Sequence, residues 1–446
     1  MQETFDLLIR GGTVATPNGI APADIGVIGG RIAAIGSLAG AKTVETFEAR
    51  GLHVLPGAID TQVHFREPGN DHKEDLETGS RAAVLGGVTA VFEMPNTAPP
   101  TTSRLAIDDK LARAKSRMHC DYAFYVGATP ANVGALAALE SLPGVCGVKA
   151  FLGSSTGSLL LNRPDDILAA LKAGRRRMAV HSEDEERLIA RKHLAERGRP
   201  QTHPVWRDVE TARASTERVL GLARAAGRRL HVLHVTTGDE IPLLAAAREF
   251  ATAETTPQHL TLSAPECYER LGAYAQMNPP IRDETHRQAL WEAVREGVID
   301  VIGSDHAPHT REEKDKTYPD TPSGMPGVQT LVTLLLDHVN QGHLSLERFV
   351  DLTASGPQRI FGIAGKGRIA RGYDADFTVA DLKLTRTIEN RWIASRCGWT
   401  PFDGMKTTGW PVATIVRGKR VMQDGELILA SQGEPVRFVE TLAASS

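Results

Sequence analysis

Asp60-Thr61-Gln62-Val63-His64-Phe65-Arg66 ends an apolar run that begins near residue 54, and its polar groups gather where the run stops. Alternate residues of a strand share a face, so Asp60, Gln62, His64 and Arg66 are expected to point one way. The arrangement recurs along the middle of the chain. Gly147-Val148-Lys149-Ala150-Phe151-Leu152 sets a lysine in an apolar strand. Met178-Ala179-Val180-His181-Ser182-Glu183 and Leu230-His231-Val232-Leu233-His234-Val235 end in imidazoles. Val301-Ile302-Gly303-Ser304-Asp305-His306 ends in a carboxylate. Strands are expected near 54–65, 88–94, 121–127, 146–152, 178–182, 230–235, 250–256 and 299–305, most of them separated by amphipathic helical stretches such as Asp208 to Ala226. Strands alternating with helices in this way imply an α/β protein with a parallel (β/α)8 TIM barrel. Such barrels carry their chemistry at the C-terminal strand ends.

The flanks read differently. Asp6-Leu7-Leu8-Ile9-Arg10, Asp24-Ile25-Gly26-Val27-Ile28 and Arg31-Ile32-Ala33-Ala34-Ile35-Gly36 are short strands punctuated by Gly11-Gly12 and Gly29-Gly30. Ala375-Asp376-Phe377-Thr378-Val379 and Ala413-Thr414-Ile415-Val416-Arg417 are their C-terminal counterparts. A small β-sandwich built from both chain ends is expected: 1–55 and 366–446 around a barrel of 56–365. Ala443-Ala444-Ser445-Ser446 reads as a frayed tail.

Composition narrows the function classes. The chain has 446 residues, 41% of them hydrophobic, and a net charge of only -3. The densest basic run, Arg175-Arg176-Arg177, reads as a helix end or turn rather than a nucleic-acid patch. Gly365-Lys366-Gly367 lacks the glycine spacing of a phosphate loop. The four cysteines, Cys120, Cys146, Cys267 and Cys397, form no CxxC pair, which argues against a disulfide framework and a cysteine zinc site. No apolar run approaches a membrane span of ~20 residues, and the start Met1-Gln2-Glu3-Thr4 is acidic where a signal peptide is basic. A cytoplasmic protein with neither nucleic-acid nor membrane contacts is expected.

Each polar residue at a strand end has an ordinary reading. A lone histidine such as His64 is usually structural, and a lysine such as Lys149 can snorkel or pair with a carboxylate. Alternatively, Lys149 reacts with CO2 to give a carbamate, an anionic bridge between metal ions. His231 and His234 have opposite parity, so only one is expected to face the barrel interior, with His234 the better placed. Taken together, imidazoles, carboxylate and lysine on five strand ends favour a site for Zn2+ or a similar cation.

Longer blocks carry a resemblance. His64-Phe65-Arg66-Glu67-Pro68-Gly69 is similar to an HxREPG signature; Met94-Pro95-Asn96-Thr97, Met277-Asn278-Pro279-Pro280-Ile281-Arg282, Ser304-Asp305-His306-Ala307-Pro308-His309 and Gly372-Tyr373-Asp374-Ala375-Asp376 match further blocks. The chain resembles the amidohydrolase superfamily over nearly its whole length, and within it the dihydroorotase family. The resemblance implies one or two zinc ions on His64, Lys149 (as the carbamate), His181, His234 and Asp305, with Asp305 as the proton shuttle. It implies that Arg66, Asn96 and His309 hold a substrate carboxylate and that Asn278, Ser323 and Gly324 contact the ring amides. A homo-oligomer follows, with aspartate transcarbamoylase as a candidate partner. Gln62 departs from the pattern, standing where the first histidine of an HxH pair belongs. An amide oxygen is a poor ligand beside imidazole, so the position near Gln62 is expected to bind metal loosely and the one at His181 and His234 tightly. The expected reaction is the reversible opening of dihydroorotate to N-carbamoyl-aspartate. The alternatives are a hydantoinase- or allantoinase-like enzyme and a non-catalytic homologue partnering aspartate transcarbamoylase.

Overall fold

The computed structural model describes residues 4–153 and 159–442; the tail 443–446 and the start 1–3 lie outside the described residues. Five strands come first: β1 (Phe5–Thr16), β2 (Gly19–Ile28), β3 (Arg31–Gly36), β4 (Thr43–Glu48) and β5 (His53–Pro56). Eight parallel strands follow: β6 (Ala58–Val63), β7 (Val88–Glu93), β8 (Asp121–Gly127), β9 (Val145–Phe151), β10 (Met178–His181), β11 (Leu230–Val232), β12 (Ala251–Thr255) and β13 (Val301–Ile302). They neighbour one another in sequence order, the topology expected for a barrel. The seam between β6 and β13 is completed just beyond the strands. His64 N donates to His306 O at 2.7 Å, and Ser304 N donates to Asp60 Oδ1 at 2.9 Å.

Strand positions follow the apolar runs, and the helices between them follow their caps. The helix Val209–Ala226 starts where Asp208 accepts from Thr211 N and stops at Gly227, whose φ of 67° suits glycine. Its buried face, with Val219, Leu220 and Ala223, joins the large cluster between helices and barrel. The barrel lumen has its own core of Phe92, Tyr125, Leu233 and Phe361.

The two chain ends share one mixed sheet. Its order is β17-β16-β15-β14-β5-β1-β2-β3, with β4 also paired to β1; the last four strands are β14 (Phe377–Thr387), β15 (Lys406–Val416), β16 (Lys419–Gln423) and β17 (Glu426–Leu427). The sandwich thus takes the form of nine continuously bonded strands around one apolar cluster that includes Ile9, Ile25, Phe47, Phe377 and Ile415. Lys366 joins this unit to the barrel: its Nζ lies 2.6 Å from Asp376 and 3.3 Å from Asp374 in the sheet unit, and 2.5 Å from Asp121 at the start of β8.

Two details differ from the sequence reading. The stretch after β17 returns to the barrel: Pro435 bridges to Tyr122, and the Phe438 ring meets Phe92 at 5.8 Å inside the lumen core. The second detail is that β6 is irregular, with register shifts at Ala58/Ile59 and Asp60/Val63. Asp60 is therefore turned to the seam, while Gln62, His64 and Arg66 face the site. The arginine run is structural: Arg176 Nη1 donates to Glu140 O at 3.0 Å and Arg177 Nη1 to Leu230 O at 2.7 Å. Among the described residues no helix is long and apolar enough to cross a membrane.

Candidate active site

A cavity of about 100 Å³ opens at the C-terminal end of the barrel. Its wall contains Gln62, His64, Arg66, Asn96, Lys149, His181, His234, Asn278, Asp305, Ser323 and Gly324, together with Phe151 and Ala307, which the sequence reading did not single out. Three wall residues have left-handed backbones: Arg66 (φ 65°), His234 (φ 38°) and Asp305 (φ 44°). Such conformations cost roughly 1–3 kcal/mol each for non-glycine residues and cluster at functional sites.

His234 corrects the parity expectation. β11 ends at Val232, so strand alternation no longer governs position 234, and the left-handed turn swings its ring into the cavity. His231 also faces inward, one layer deeper, with Nε2 3.3 Å from Glu254 and Nδ1 2.8 Å from Thr252 Oγ1. Both histidines are interior.

The donor atoms fall into two pairs. His181 Nδ1 lies 3.0 Å from His234 Nε2, and His64 Nε2 lies 3.2 Å from Asp305 Oδ1. Two ligands on a tetrahedral zinc at 2.0–2.1 Å are about 3.4 Å apart, so each pair is spaced to share one ion. Burial pushes the imidazoles of His64, His181 and His234 below the usual histidine range. That favours the neutral form a metal requires. His234 Nδ1 is buried without a hydrogen-bond partner among the described residues. Among the described residues no three His, Cys, Asp or Glu side chains close into a ready ligand cluster. Lys149 lines the same cavity as both pairs.

Lys149 is 1% exposed, and its Nζ lies 4.6 Å from the Phe151 ring centroid. It makes no ion pair among the described residues, which sets aside the salt-bridged reading. Burial pushes the amine down to about 7, against the opposing pull of Asp305 and Glu254. Near neutral pH a substantial fraction is therefore the unprotonated amine, the form that attacks CO2.

On the opposite wall Arg66 donates through Nε to Pro308 O at 3.2 Å and faces His309 Nε2 at 3.3 Å from Nη2. It is half-buried and has no carboxylate partner among the described residues. His309 is not part of the wall; it stands behind Arg66, with Nε2 3.0 Å from Ser323 O. Asn96 faces His64 Nδ1 with Oδ1 at 2.7 Å, so Nδ2 is its donor toward the cavity. Gly324 needs its glycine: φ is 137°, and a Cβ would stand 2.4 Å from Ala307 O. Asn278 Oδ1 lies 3.0 Å from His203 Nε2.

Gln62 departs from the ligand expectation in a specific way. Its Nε2 donates to Asp305 Oδ1 at 2.9 Å, so the amide bonds to a candidate ligand. Behind His181 stand Glu183 and Arg207, both missed from sequence; the alternation of His181 and Glu183 was the available signal for the first.

Comparisons with known proteins give the family. The sequence model of the amidohydrolase family matches residues 53–206 and 208–421. A dihydroorotase of Halobacterium salinarum is 39% identical over 422 residues, 93% of this chain and 96% of that protein. An allantoinase of Rubrobacter xylanophilus is 37% identical over 456 residues, 97% of this chain and 98% of its own. Among solved structures, an L-hydantoinase (dihydropyrimidinase) from Arthrobacter aurescens superposes with a TM-score of 0.92 at 30% identity, covering 97% of this chain and 99% of that one. A family match through the barrel and into the terminal sheet, joined by near-full-length relatives, establishes that this chain belongs to the amidohydrolase family.

Proposed function

We propose that the protein is a dihydroorotase, catalysing the reversible hydrolysis of the cyclic amide of dihydroorotate to N-carbamoyl-aspartate. One observation carries the choice among cyclic amides: Arg66 is a half-buried guanidinium in the cavity wall with no carboxylate partner among the described residues. A half-buried cation facing the cavity lacks a counter-charge, and a substrate carboxylate supplies it through two parallel hydrogen bonds. Allantoin and unsubstituted hydantoin carry no carboxylate and leave Arg66 unpaired.

The donor sets fit zinc: His181 and His234 would hold it at one position and His64 and Asp305 at the other, with Lys149, as its carbamate, as a further ligand. Bound there, zinc supplies Lewis acidity toward the scissile carbonyl and toward water. The chain's own groups do the rest. Arg66 and Asn96 Nδ2 orient the carboxylate, with His309 standing behind Arg66. The Ser323-Gly324 backbone and Asn278 meet the ring amides, which presents the carbonyl carbon to the attacking water. Asp305 accepts a proton from that water and delivers it to the ring nitrogen as the C–N bond breaks. Because Gln62 supplies no imidazole, the His181–His234 position is the tighter one. A cytoplasmic location, a homo-oligomer and contact with aspartate transcarbamoylase belong to the same reading; co-elution of the purified proteins tests the last.

Turnover of purified, zinc-loaded protein on dihydroorotate, allantoin and hydantoin tests the assignment. Dihydroorotate should have the highest kcat/KM by at least tenfold. A preference for allantoin or hydantoin makes the protein an enzyme of those rings instead. No turnover on any of them supports the non-catalytic homologue.

A further inference from the structure

The two ring nitrogens of His181 have different partners. Nε2 lies 2.7 Å from Glu183 Oε2. A carboxylate only accepts, so Nε2 carries the proton and Nδ1 presents its lone pair. That lone pair points toward His234 Nε2, 3.0 Å away. Glu183 is itself gripped: Arg207 Nε donates to Oε1 at 3.0 Å, and Arg207 Nη2 donates to Oε2. Glu183 is fully buried and the Arg207 side chain is 3% exposed. The backbone bearing Arg207 is pinned in turn, since Arg282 Nη1 donates to Arg207 O at 3.1 Å. Neither Glu183 nor Arg207 lines the cavity.

Stability alone is a poor reason for such a pair, because a buried ion pair is often matched or bettered by apolar residues of similar volume. Placement against His181 gives a better one. We propose that Glu183 and Arg207 are positioning residues: Arg207 orients the carboxylate, and the carboxylate fixes the His181 tautomer, turning Nδ1 toward zinc and making it a stronger donor. Carboxylates that accept from a ligating imidazole act this way on metal affinity. The inference rests on the metal reading given under Proposed function.

Equilibrium dialysis with zinc, and the visible spectrum of the cobalt(II)-substituted full chain, test it. Glu183→Ala should weaken zinc binding roughly 10–100-fold and change the cobalt spectrum. Glu183→Gln, whose carbonyl still accepts from Nε2–H, should lose less. A purely structural role lowers the melting temperature but leaves zinc affinity and cobalt spectrum at the values of the unmodified chain; that result overturns the proposal. Glu183→Ala leaves Arg207 buried and unpaired, so if it does not fold, the Glu183→Leu/Arg207→Met double variant, which removes the acceptor without orphaning a charge, is measured and read the same way. Failure of the unmodified chain to take up zinc overturns the metal reading itself, an outcome visible before any variant is made.

Discussion

Gln62 donates its side-chain amide to Asp305 Oδ1 across 2.9 Å, and the same oxygen lies 3.2 Å from His64 Nε2. Gln62 Oε1 is buried with no hydrogen-bond partner among the described residues. The amide therefore holds Asp305 in place with a neutral donor at the point where an imidazole ligand would face a cation.

Gln62→His should raise zinc affinity at the His64–Asp305 position, because imidazole replaces an amide that offers little to a metal. Zinc titration of the unmodified chain should show unequal occupancy, with one tight site and one weak or empty. Two equally tight sites before substitution would sink this idea.

Arg66→Met should cut kcat/KM for dihydroorotate by about 10²-fold, the scale of losing a charge-assisted contact of ~2–3 kcal/mol to a buried anion. Turnover of a neutral hydantoin, if measurable, should fall far less. Equal losses on both substrates would mean that Arg66 acts on the fold of the site rather than on the carboxylate.

Lys149→Ala should abolish zinc retention at both positions and with it activity, since the shared anionic bridge is gone. Acetate or propionate at high concentration should restore part of both, by entering the space vacated by the side chain. Retention of zinc without added acid counts against the carbamate.

His338 provides a pH test far from the site. Its Nε2 lies 2.9 Å from Thr261 Oγ1, its ring meets Trp291 edge-on at 4.7 Å, and burial pushes it down to about 3. Between the unfolded value near 6.5 and about 3, the unfolded chain binds a proton that the folded chain does not. Stability therefore falls as pH drops through that window, by up to about 1.4 kcal/mol per pH unit for this one group, and levels off below it. His338→Gln, neutral throughout, should flatten the melting-temperature profile between pH 6 and 4. An unchanged slope would assign the acid sensitivity to other buried imidazoles, such as His203, also pushed down to about 3.

The sequence was most legible where physics is local. The barrel strands are short apolar runs, most with polar groups at or just past their ends, and every expected strand has its counterpart. The ligand candidates were legible because imidazole, lysine and carboxylate at strand ends have few other reasons to converge. What stayed hidden depends on distant parts of the chain or on single dihedrals. Arg207 reaches Glu183 across 24 positions, a pairing no periodicity announces. His234 faces inward through one left-handed residue that alternation does not foresee. Phe438 lies past the last strand of the terminal sheet and looks like tail, yet it fills the lumen.

The seam of the terminal sheet sets an order of events during synthesis. β5 lies between β1 and β14, and just beyond it Ala58 N bonds Thr378 Oγ1 across 320 positions. At ~5–20 residues per second, the ribosome delivers the second partner roughly 15–60 s after the first. For that interval the nascent chain carries an open strand edge beside a growing barrel, a surface prone to pairing with another chain. The N-terminal half-sheet must then remain unfinished until β14 has been made.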